Sequence, residues 1–97
     1  MKLKGVFMSH TIADKEKLLV RVRKIKGQLG AIEKALEGEK ECFKVLQQIS
    51  ATRGAMNALM NEVIEGHIKE HLGNHVSEVQ RDEEIVKLIT LLKTYLK

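Results

Sequence analysis

His67 and His71 stand four residues apart in a chain that contains no proline. On a helix that spacing points both imidazoles the same way, so both can reach one ion. Cys42, the only cysteine, adds a thiolate. Thiolate with imidazole is a donor set that Ni(II), Co(II), Zn(II) and Cu(I) all accept. Each part has a blander reading. A histidine pair at this spacing is often incidental, and a lone cysteine on an apolar face is usually a small core residue. His10 and His75, each isolated, read by themselves as polar residues of irregular segments. What lifts the first three above that level is direction. Cys42 and His67 differ by 25 residues, so at 100° per residue they face the same way within about 20°.

The elements that must position them are helical. Leu18, Val22, Ile25, Leu29, Ile32 and Leu36 recur at alternating spacings of four and three, the narrow seam of a helix packed on another helix. This predicts a first helix over 14–37, capped by Asp14 and stopped by Gly38. A second apolar pattern, from Cys42 through Val45, Ile49, Met56 and Val63 to Ile68, predicts one long helix over 41–72. Ser77 with Gln80 offers a capping box for a third, over 78–96. There are no strand-like alternations and no repeats. The fold class expected is all-α, a three-helix unit over 14–97 preceded by a flexible arm over 1–13. Met8 offers a second possible start, which would make 1–7 an extension.

Geometry then constrains the metal site. On one straight helix Cys42 and His67 lie about 37 Å apart. One chain cannot bring them to one ion, but two antiparallel copies can, with two equivalent sites related by two-fold symmetry. The midpoint falls among Ala51, Gly54, Ala55 and Ala58, small residues that allow two helices to approach closely. A helix this long also exposes more apolar face than a short neighbour covers.

The first helix carries a second feature. Lys17, Arg21, Lys24 and Gln28 form one polar stripe beside the apolar seam. Lysine and arginine on a helix most often form a solvated face. This stripe also suits duplex phosphates, and Arg21 can reach a guanine edge. The chain has 97 residues, a formal charge of +4 and three aromatics. The mild basic excess is compatible with nucleic acid, whereas so few aromatics argue against binding single strands by stacking. No helix-turn-helix of the usual lengths is present. A single thiol excludes an internal disulfide and suits a reducing cytoplasm. No stretch resembles a signal peptide or a membrane span, so no membrane partner is expected. Nothing pairs with Cys42 as catalytic machinery apart from histidines better read as ligands, so an enzyme is not expected.

Four runs taken together resemble the CsoR/RcnR repressors, the copper-, nickel/cobalt- and formaldehyde-responsive regulators of bacteria. They are Arg21-Val-Arg-Lys-Ile-Lys-Gly-Gln28, Glu41-Cys42, Val45-Leu-Gln-Gln-Ile-Ser-Ala-Thr-Arg-Gly-Ala-Met-Asn57 and Glu62-Val-Ile-Glu-Gly-His-Ile-Lys-Glu-His71. The resemblance covers about residues 8–97. It implies a three-helix subunit, an antiparallel homodimer and a flat homotetramer made of two dimers. It also implies that the metal-free protein binds operator DNA, a G/C tract flanked by inverted repeats, and that the effector releases it.

Copper sensors of this family carry Cys-His-Cys, and here the last position is His71. Formaldehyde sensors usually have an acidic or small residue there and an N-terminal proline. The set His10, Cys42, His67 and His71 matches the nickel/cobalt sensors, where the free amino terminus beside the first histidine also binds. Seven residues ahead of Met8 depart from that pattern and set the terminal amine far from His10. Arg21 and Lys24 match positions tied to operator binding in that branch, and Lys17 joins them from the helical wheel. The expectation is a Ni(II)- or Co(II)-responsive repressor of an efflux gene, with Zn(II) or Cu(I) as other ions the ligands accept. The alternatives are a formaldehyde-responsive repressor using Cys42, and a metal-binding bundle that never touches DNA.

Overall fold

Long runs of helix formers free of proline and patterned at three and four residues leave helix as the natural state of this chain. A computed structural model describes residues 14–96. It contains α1 (Lys15–Glu37), α2 (Cys42–His71) and α3 (Glu78–Tyr95), and no strand among the described residues. The all-α expectation and the three helix spans hold to within a residue or two.

The helix ends show which local signals act. Ser77 caps α3 as expected: its hydroxyl accepts from Gln80 N–H at 3.2 Å and donates toward Gln80 Oε1 at 3.4 Å. Asp14 stands at the start of α1, but its carboxylate makes no capping hydrogen bond. Gly38 ends α1 with an ordinary φ of −86°. The left-handed residue of the turn is Glu39, at φ 53°, a conformation that costs a non-glycine residue about 1 kcal/mol. Glu39 N–H donates to Leu36 O and Lys40 N–H to Ala35 O, which close the turn and send α2 back along α1. Arg81 closes the other turn, donating to Val76 O at 2.9 Å and Gly73 O at 3.4 Å.

The α1–α2 hairpin is the main packed unit, and α3 lies more lightly on the end of α2. Tyr95 Oη donates to Asn61 Oδ1 at 3.3 Å and ties the far end of α3 to α2. Among the described residues, Ile25, Ala35 and Val45 are the buried apolar side chains. Thr52 is buried with them, its hydroxyl returned to Gln48 O at 2.8 Å. Much of the apolar patterning faces outward in the single chain. Leu46, Ile49 and Met56 on α2 are about half exposed. They share a helix face with Cys42 and His67, because the spacings from 42 through 46, 49, 56 and 60 to 67 keep one direction.

Candidate metal centre and basic face

The last two turns of α2 bring His67 and His71 together, with ring centroids 4.4 Å apart. Across from them α3 supplies Glu84, whose Oε1 accepts from His67 Nε2 at 3.1 Å. A carboxylate only accepts, so this bond holds the proton on Nε2 and directs the lone pair to Nδ1. Lys87 Nζ lies 3.5 Å from the other oxygen of Glu84. Burial pushes the Glu84 carboxyl up, but Lys87 and the rings of His71 and His67 together outweigh it and hold it below the usual carboxylate value. His75 is a turn residue, its Nε2 bonded to Glu70 O at 2.8 Å.

Cys42 is exposed at the opposite end of the same helix, about 37 Å away along its axis. Among the described residues, no three His, Cys, Asp or Glu side chains come together to hold an ion. The chain therefore assembles the histidine half of the expected set and leaves the thiolate remote. His10 lies outside the described residues.

The basic stripe is also in place on α1, and it has a partner that composition alone does not announce. Lys17 Nζ lies 3.0 Å from Glu62 Oε1, and Arg21 Nε donates to Glu62 Oε2. One carboxylate of α2 thus holds two of the three expected phosphate contacts. The hydrogen bond from Lys17 lowers the Glu62 carboxyl below its ordinary value against the push of burial, and Arg21 adds to the effect. Lys24, the third member, is exposed and is in no ion pair among the described residues.

Sequence reasoning missed both Glu62 and Glu84. An acid on an amphipathic helix looks like any solvated residue. A usable signal was nevertheless present. Two antiparallel helices joined by a short turn pair residues equidistant from that turn. Reflection about residues 39 and 40 sets Lys17 opposite Glu62, and reflection about 75 and 76 sets His67 opposite Glu84.

The family model described as metal-sensitive transcriptional repressor matches residues 14–94. The chain belongs to that family. The resemblance to the CsoR/RcnR repressors drawn from the four sequence runs is thereby borne out. Transcriptional repressor RcnR of Citrobacter koseri is 49% identical over 90 residues, covering 93% of this chain and all of that protein. An uncharacterized protein in the bioA 5′ region of Serratia marcescens is 54% identical over 91 residues, again 93% of this chain and all of the relative. Among solved structures, a variant of the formaldehyde-responsive regulator FrmR from Salmonella enterica serovar Typhimurium is similar, with 44% identity and a TM-score of 0.78. That likeness covers 86% of this chain and 94% of the regulator. CsoR/RcnR proteins are transcriptional repressors rather than enzymes. They give no support to the alternative of a metal-binding bundle that never touches DNA. No helix among the described residues is long and apolar enough to cross a membrane.

Proposed function

We propose that this CsoR/RcnR member is a Ni(II)- or Co(II)-responsive repressor that binds duplex operator DNA when metal-free. Binding of the ion releases the DNA and derepresses an efflux gene. One observation carries the reading: Cys42 and the His67–His71 pair stand at opposite ends of one face of α2, with half-exposed Leu46, Ile49 and Met56 between them. Fully burying such a side chain stabilises by about 1.5–3 kcal/mol, so covering the exposed half of each is worth roughly 1 kcal/mol. A second copy laid antiparallel covers this face and sets Cys42 of each copy beside His67 and His71 of the other. Thiolate and two imidazoles fit a borderline metal, and the same donors accept Zn(II) or Cu(I). His10 would join from the N-terminal arm. The residues that would hold the ion then come from two copies, at the end of their shared interface.

The chain's own residues do the rest. Glu84 orients His67 by holding its Nε2 proton. Lys17, Arg21 and Lys24 contact operator phosphates, and Arg21 is also able to read a guanine edge. The working unit is a homotetramer of two antiparallel dimers in the cytoplasm. The ion can move the DNA equilibrium only by its differential affinity for the two states of the assembly. The test is a gel shift on a G/C-tract duplex, with Ni(II), Co(II), Zn(II) and Cu(I) titrated in parallel. The expected result is release first by Ni(II) or Co(II), and a His71→Ala protein that still binds DNA but is not released. Normal release of that variant would remove His71 from the switch.

A second reading is favoured by the likeness to a formaldehyde-responsive regulator and by the exposure of Cys42. The Cys42 thiolate would add to the carbonyl carbon, and the hydroxymethyl adduct would lose water on condensing with a nearby amine. Mass spectrometry after formaldehyde treatment separates the readings. A methylene bridge from Cys42 to an N-terminal amine, formed as DNA is released, favours the aldehyde.

A further inference from the structure

The basic face does not end at Gln28. Continuing its register along α1 at spacings of three and four leads to Ala31 and Ala35. Both line a groove of about 680 Å³ between the end of α1 and the start of α2. Its polar lining is Lys34, Lys40, Lys44, Gln47 and Gln48, and no acidic residue among the described ones lines it. Glu37, Glu39 and Glu41 of the turn stay outside the lining. Lys34, Lys40 and Lys44 are in no ion pair among the described residues. On α2, Lys44 and Glu62 are 18 residues apart, five whole turns, so they share one face about 27 Å apart. One hairpin face therefore has two ends. At one, a carboxylate holds Lys17 and Arg21. At the other, three lysines and two amides surround an open groove.

We infer that this groove is a second phosphate-contact site for duplex DNA, continuous with the Lys17–Arg21–Lys24 stripe. The inference rests on the reading of this chain as a binder of operator DNA. The chemistry favours a phosphodiester backbone. Ammonium groups supply the charge, and the amides of Gln47 and Gln48 can donate to phosphate oxygens without reading a base. A phosphate recurs every 3.4 Å along one strand, so a 27 Å face spans about eight of them and both ends can engage together. Because its lysines pair with no acid among the described residues, the groove makes its contacts without breaking any ion pair seen there. The Lys17–Arg21 end must first part from Glu62.

The test measures operator affinity of the full-length, metal-free protein from low to high salt, for the parent, for Lys40→Gln/Lys44→Gln and for Arg23→Gln/Lys26→Gln. Arg23 and Lys26 are exposed on the opposite flank of α1, so the last pair removes the same charge away from the groove. Each lost phosphate contact flattens the slope of log affinity against log salt by about 0.9. The groove variant is expected to lose about tenfold or more in affinity at moderate salt and to show the flatter slope. The flank variant should change by less than a third of that. Nickel binding and the thermal melt of the groove variant should match the parent. Equal losses in the two variants would reduce the effect to net charge and overturn the site. An unchanged slope with altered oligomer mass would assign the groove to a second copy of the chain and overturn it too. A parent that binds no duplex at all would instead sink the repressor reading on which the inference rests.

Discussion

Glu62 and Glu84 use the same chemistry to opposite ends. Each reaches across a hairpin to a functional side chain on the neighbouring helix. Glu84 accepts from Nε2 of His67 and so fixes the tautomer of a ring that the proposed site would use as a ligand. Glu62 takes the charged groups of Lys17 and Arg21, the atoms a phosphate would need. A carboxylate beside an imidazole makes a better metal ligand, whereas a carboxylate beside a cation competes with every other anion. On the proposed function, Glu84 is therefore an aid to its site and Glu62 a brake on its own. Substitutions at the two positions should move their ligands in opposite directions.

The larger effect is expected at Glu84. Removing the partner of a metal-bound histidine typically lowers metal affinity by about 10- to 100-fold. Glu84→Gln keeps an acceptor oxygen and belongs at the low end of that range, and Glu84→Ala at the high end. Competition titration with Ni(II) and Co(II) checks this, with operator affinity of the metal-free protein as the control that should not move. A Glu84→Ala protein that binds the ion as tightly as the parent would break the comparison at its metal end.

At Glu62 the sign reverses. Glu62→Gln should tighten operator binding by about three- to tenfold, the range expected when two weak, half-exposed ion pairs no longer have to be given up. The salt dependence should steepen as well, because a carboxylate deprived of both partners no longer takes up a solution cation as DNA releases its own. The lowered pKa of Glu62 keeps it charged throughout the neutral range, so the brake is set there in full. Metal affinity should be unchanged. Weaker binding by Glu62→Gln would mean that Glu62 positions Arg21 for DNA and does not compete with it.

The two carboxylates also mark how far the sequence can be read. Local regularities transfer well: helix spans follow from the three-four patterning, the α3 start from Ser77 and Gln80, and the His67–His71 pair from its spacing. Each of these needs only residues within a turn or two. Asp14 shows the limit even there, since a capping residue type does not guarantee the capping bond. The Glu62 pairs join residues 41 and 45 positions apart, and the Glu84 pair joins residues 17 apart. Amphipathic periodicity says which face is apolar but not which acid meets which base across a hairpin. The remote Cys42 was legible, because a helix fixes distance as firmly as direction.

The smallest effect tests whether Glu84 acts through the placement of α3. That helix has no buried residue of its own, so few contacts besides its cap and end ties fix its position. Ser77→Ala removes the oxygen that accepts from Gln80 N–H. Loss of a serine cap destabilises by about 1 kcal/mol. In the parent the loss should appear as a lower melting temperature with only a slight fall in metal affinity, since Tyr95 and Arg81 still tie α3 to α2 and its turn. In a Glu84→Ala background the same change should lower stability equally and leave metal affinity where Glu84→Ala put it. Were Ser77→Ala to weaken metal binding equally with and without Glu84, α3 would serve the site by covering it, and the carboxylate would lose its assigned role.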